Sequence, residues 1–79
     1  EAQRARLLER LQHGAIDTIT ARRELNLLMP AARVKELREA GHPIKTHRIT
    51  AKDEQGRTHR GVALYYMGTL PVEYSEAQA

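Results

Sequence analysis

Apolar residues recur at helical spacing in three stretches of the chain and alternate at strand spacing in two more. Leu7, Leu8 and Leu11 share one stripe of residues 2–12, with Arg4, Arg6, Glu9 and Arg10 around the outside. This predicts a first helix, closed by His13 and Gly14. Ala15 to Ile16 has room only for a single edge strand. Asp17 or Thr18 then offers a side-chain oxygen to the free N–H groups of a second helix, Thr18 to Leu25, with Ala21 and Leu25 turned inward. With Asp17 as the cap, Ile16 and Ala21 stand at the spacing of a hydrophobic staple. Asn26 follows where a helix commonly ends in a left-handed residue, a conformation Asn tolerates better than most. Leu27 and Leu28 are expected to fill the corner before the next element.

The third helix, Met29 to Gly41, has both ends written into it. Pro30 fits the first helical position, where its missing N–H costs nothing, and Gly41 fits the left-handed residue that closes the last turn. Val34, Leu37 and Gly41 fall on one face, with Arg33, Lys35, Glu36 and Glu39 on the others. Two helices joined by so tight a corner cross steeply, which is helix-turn-helix geometry. His42 and Pro43 then break the helix, and Ile44 to Ala51 is rich in β-branched residues. KDEQGR, residues 52–57, reads as a turn with Gly56 at a positive-φ position, and Thr58 to Met67 returns as the second strand of a hairpin. Gly68 to Ala79 contains Pro71, Ser75, Gln78, Glu73 and Glu76, and reads as a loosely ordered acidic tail with a short extended piece at Leu70 to Val72. The expected fold class is α+β: a three-helix bundle with a helix-turn-helix, followed by a β-hairpin, over residues 1–67.

That order resembles the winged helix-turn-helix fold, and within it the small helix-turn-helix domains of bacteria and their phages. The likeness runs through DTITARRELNLLMPAARVKELREAGHPI, residues 17–44, to a hairpin ending in Tyr66 and Met67. Its most specific piece is the run from Ala31 through Leu37 and Arg38 to Gly41 and Ile44. The stretch from Leu25 to Gly41 is shorter than in the commoner winged repressors, so either the corner is tighter or the third helix starts later. The resemblance implies a DNA-binding protein of bacterial or phage origin that reads duplex DNA with the third helix and sets a hairpin wing on the backbone. A transcriptional regulator is the leading expectation; a phage recombination or replication accessory factor and a protein-interaction module are the alternatives.

Composition narrows the classes further. Seventy-nine residues suffice for one small core and leave little for a roomy enzyme cleft. There is no Cys, hence no disulfide framework and no thiolate metal site. No apolar run approaches membrane-spanning length and no signal-peptide core opens the chain, so no membrane partner and a cytoplasmic, nucleoid-associated location are expected. The net charge is +3, and its distribution says more: all thirteen cations lie between Arg4 and Arg60, while Glu73 and Glu76 stand in a stretch without one. A basic body suits a polyanionic partner.

Catalysis has no visible apparatus. His13, His42, His47 and His59 show no metal-ligand spacing, no Gly-rich phosphate loop follows a strand, and the only serine is Ser75. No enzyme activity, cofactor or metal is expected, although His47 and His59 are placed to face each other across the hairpin. For DNA the candidates are concrete. Arg33 is the first choice for a bidentate bond to guanine, with Lys35 and Glu36 next, while Ala31 and Ala32 allow close approach and contact with a thymine methyl. Thr18 and Thr20 stand at the start of the second helix, where N–H groups and the helix dipole favour phosphate, and Arg22 and Arg23 add reach. Arg48, Lys52, Arg57 and Arg60 flank the hairpin turn and suit backbone contact. Arg38 is expected to cross the helix packing and bond the scaffold. Duplex DNA is the expected partner, and a second copy of the chain a candidate one, through Tyr65, Tyr66, Leu70 and Val72.

Overall fold

The computed structural model describes residues 2–75. Four helices and three strands follow in the order α1 (Ala2–Leu11), β1 (Ile16–Asp17), α2 (Thr18–Leu25), α3 (Pro30–Glu39), β2 (Ile44–Lys52), β3 (Thr58–Met67) and α4 (Val72–Ser75) among those residues. The strands form one antiparallel sheet in the order β1-β3-β2. This is the expected α+β architecture, with a helix-turn-helix followed by a hairpin.

The helix ends rest on local chemistry. Asp17 caps α2: its Oδ1 accepts from the Thr20 backbone N–H at 2.8 Å and its Oδ2 from the Thr20 hydroxyl at 2.9 Å. Asn26 ends α2 in the left-handed conformation, with φ 57°. Across the bundle, the Arg6 Nε–H donates to the Leu25 carbonyl at 3.2 Å, covering an acceptor that the end of α2 leaves open. Pro30 opens α3, and Gly41, with φ 103°, closes it. The His42 N–H reaches back to the Leu37 carbonyl and the Gly41 N–H to that of Arg38, both at 3.0 Å, which is the Schellman arrangement.

One core joins these elements. Leu7 and Leu11 of α1, Ile16 of β1, Ala21 of α2, Leu27 of the corner, Val34 and Leu37 of α3, and Ile44, Ala63 and Tyr65 of the sheet pack together. Complete burial of side chains such as Leu7, Ile16, Leu27 and Val34 contributes about 1.5–3 kcal/mol each relative to leaving them in water. Arg38 of α3 fixes the sheet to the bundle as expected: its Nε–H donates to the Ile44 carbonyl at 2.7 Å and its Nη2 to the Thr46 hydroxyl at 2.6 Å.

Several expectations are corrected. Leu28 does not fill the corner with Leu27; it is 83% exposed, while Leu27 is buried. The tight corner has room for one leucine, and consecutive side chains point in different directions. The edge strand is Ile16–Asp17, one residue later than expected, because Ile16 pairs with Tyr65 and Asp17 with Leu64. His47 and His59 do not face each other: His47 pairs with Leu64 and His59 with Ala51, and a bulge between Ile49 and Ala51 shifts the register. Val72 opens the helical turn of α4 instead of ending an extended piece, and the Tyr74 N–H donates to the Pro71 carbonyl at 3.0 Å. Residues 76–79 of the expected acidic tail, Glu76 included, lie outside the described residues. No helix among the described residues is long and apolar enough to cross a membrane.

Candidate nucleic-acid interface

The start of α2, the start of α3 and the hairpin enclose an open groove of about 430 Å³. Its cationic wall is made by Arg22 from α2, Arg48 from β2 and Arg60 from β3; His59, Thr18 and Ala31 line it too. No carboxylate among the described residues lines it. The three arginines are exposed, so their guanidinium groups stand in water and are ready for an anionic ligand. Strand geometry explains the convergence. Arg48 pairs with Ala63 across the ladder, and its Nη1 donates to the Gly61 carbonyl at 3.2 Å, which lays the side chain across β3 toward the helices. Arg22 stands one helical turn after Thr18, on the same side of α2.

A second depression, of about 390 Å³, continues toward the hairpin tip and shares Arg22 and His59 with the first. Here the charge is mixed. Asp53 organises the turn: its Oδ1 accepts from the Gln55 and Arg57 backbone N–H groups, each at 2.9 Å, and its Oδ2 lies 2.9 Å from His59 Nε2 and 3.2 Å from Arg57 Nε. The bond to His59 and then the Arg57 amide hold the Asp53 carboxyl well below the usual carboxylate range. Glu54 at the tip reaches α2, 3.7 Å from Arg23 Nε. The hairpin tip is thus drawn onto α2.

The expected site residues divide by direction. Arg22, Arg48, Arg60, Ala31 and Thr18 meet in the groove. Thr18 and Thr20 also serve the scaffold, Thr18 by donating to the Ala63 carbonyl at 3.3 Å and Thr20 through the Asp17 cap. Arg23 is shared between Glu24 and Glu54, and Arg57 belongs to the Asp53 turn. Lys52 is exposed at the end of β2, and Lys35 is exposed on α3 with Glu39 at 3.3 Å. Ala32 is half-buried.

Arg33 does not join the groove. Its Nη1 donates to Gln3 Oε1 of α1 at 3.3 Å and its Nη2 to Glu36 Oε2 at 3.0 Å, while Nε is buried without a partner among the described residues. Glu36 in turn lies 3.8 Å from Arg4 Nη1. Both residues therefore point toward α1, on the side of α3 turned away from Ala31.

Three residues escaped the sequence reading. His59 enters the groove through the shifted register of the hairpin, for which the sequence carries no local signal. Leu28, expected to fill the corner, and Met29, read only as the start of the third helix, both stand exposed just before α3.

Comparison with known proteins agrees with this architecture. The family model described as winged helix-turn-helix domain matches residues 2–70. No curated protein and no solved structure matches the chain.

Proposed function

The chain belongs to the winged helix-turn-helix domain family, and from that premise we propose that it binds duplex DNA and serves as a transcriptional regulator of bacterial or phage origin, acting in the cytoplasm on the nucleoid. Family membership supports a DNA-binding role. The observation that carries the docking is the groove in which Arg22, Arg48 and Arg60 surround Ala31 with no carboxylate among the lining side chains. In this reading the start of α3 enters the major groove, whose width admits a helix. Small side chains at Ala31 and Ala32 bring the backbone close to the base edges. The arginines of α2 and the hairpin then meet phosphates on the flanks, fixing position without reading sequence. Arg33 and Glu36 hold α3 against α1 and so set the angle at which it is presented.

The test is a titration of the protein into labelled mixed-sequence duplex at a series of salt concentrations. Three to six phosphate contacts give a log-affinity against log-salt slope of roughly −3 to −5. Binding that ignores salt, or no binding at about 50 mM salt where a known DNA binder registers, overturns the reading. It would move the exposed apolar residues, and a protein partner, to the front.

A further inference from the structure

We propose that α3 reads DNA by apolar contact with thymine methyl groups, through Leu28 and Met29 together with Ala31 and Ala32, and not by arginine bonds to guanine. The proposal rests on the DNA-binding reading above and specifies what that reading recognises. Three observations converge on it.

Leu28 and Met29 are 83% and 66% exposed. They are consecutive, they lie in the corner of the helix-turn-helix, and they come three and two residues before Ala31, which shares its groove with three arginines. An apolar pair left in water next to a cationic groove fits a ligand that is anionic at its edges and offers methyl groups between them. The major groove of A·T-containing DNA is such a surface, because thymine projects its C5 methyl there.

Met29 occupies the N-cap of α3 and makes no side-chain cap hydrogen bond. Ser, Thr, Asp or Asn at this position would satisfy a free N–H of the first turn, as Asp17 does for α2. The chain forgoes that oxygen and places a flexible, exposed thioether there. Such a local sacrifice of stabilisation is expected where a side chain serves a ligand.

The polar alternatives on α3 are engaged elsewhere. Arg33 and Glu36 bond each other and point toward α1, and Arg38 bonds the sheet. Lys35 is exposed, pairs with Glu39 at 3.3 Å, and lacks the planar fork that recognises guanine. What remains around the first turn of the helix is apolar.

The experiment selects a preferred duplex from a random pool and compares it with the same duplex carrying deoxyuridine at every thymine. The substitution keeps charge and hydrogen bonding and removes only the C5 methyl. Affinity is expected to fall by about fourfold for each thymine methyl that the protein covers, with the salt slope unchanged. The variant Leu28→Ser with Met29→Ser should discriminate less between the two duplexes than the unaltered protein does, keeping only the share carried by Ala31 and Ala32, while its thermal midpoint holds or rises, since Ser is the better cap. Equal affinity of the unaltered protein for thymine and uracil duplexes, with steep salt dependence retained, overturns methyl reading and leaves DNA binding standing. Absence of binding to either duplex overturns both. Disappearance of a self-association in the double-serine variant, with uracil discrimination intact, would reassign the pair to a second copy of the chain and overturn the proposal.

Discussion

Glu36 holds Arg33 on the α1 side of the third helix, with Nη2 and Oε2 3.0 Å apart. An arginine three residues from its carboxylate partner on a helix surface is well placed for this bond, and Gln3 of α1 completes the attachment. Arg33→Ala is therefore expected to lower stability by about 1 kcal/mol while leaving the selected DNA motif unchanged. Denaturant midpoints and the motif recovered from a random pool check both halves. A changed motif at unchanged stability would return Arg33 to the bases.

Leu37→Ala removes a side chain that is 5% exposed and belongs to the central cluster. The cavity it leaves is expected to cost about 2–5 kcal/mol, a large share of the stability of a domain this size. Thermal unfolding checks it, and an unshifted midpoint would show that α3 packs by another face.

Asp53 ties the hairpin turn to pH. Its folded-state pKa lies below the ordinary value of 3.8, chiefly through His59 and the Arg57 amide. The ionised carboxylate thus stabilises the turn at every pH above 3.8, and that contribution is lost as the pH falls through the depressed folded value. Acid titration followed at the Gln55 and Arg57 amides should show them losing protection together below pH 3.8. In Asp53→Ala the same amides should be unprotected already at neutral pH, with the core signals unchanged.

Arg60→Ala removes an exposed cation from the groove without touching the core. Affinity should fall for all sequences alike, and the salt slope should shrink by about one unit. An altered sequence preference would show that β3 reads bases.

The local grammar of the chain carried most of the fold. Asp17, Asn26, Pro30 and Gly41 each set a helix boundary through their own backbone or side-chain chemistry, so α2 could be placed to the residue and α3 within two. The hairpin was legible because Ile44 to Ala51 is rich in β-branched residues, Gly56 suits the turn, and Val62, Leu64 and Tyr66 alternate with Ala63 and Tyr65 on the return. Directions across the fold were not. Arg33 is turned by Gln3, thirty residues earlier, and nothing near Arg33 announces that partner. Leu28 and Leu27 look alike in sequence, and only the crossing of α2 and α3 decides which is buried. Leu64 alternates with the cluster members Ala63 and Tyr65, is not part of that cluster, and is still only 2% exposed. Of the expected site, the groove arginines came together because strand pairing and the start of α2 bring them there, which their charge alone does not predict.

Whether the groove of Arg22, Arg48 and Arg60 is the DNA interface is decided by two charge-matched triple variants. One carries Arg22→Gln, Arg48→Gln and Arg60→Gln. The other carries Arg6→Gln, Arg10→Gln and Lys45→Gln, which removes as many cations from outside the groove. Salt titration of duplex binding should show the slope falling by roughly 2–3 units in the first variant and staying near that of the unaltered protein in the second. Equal weakening in the two variants would mean that net charge alone drives the binding and that the groove is not where DNA docks.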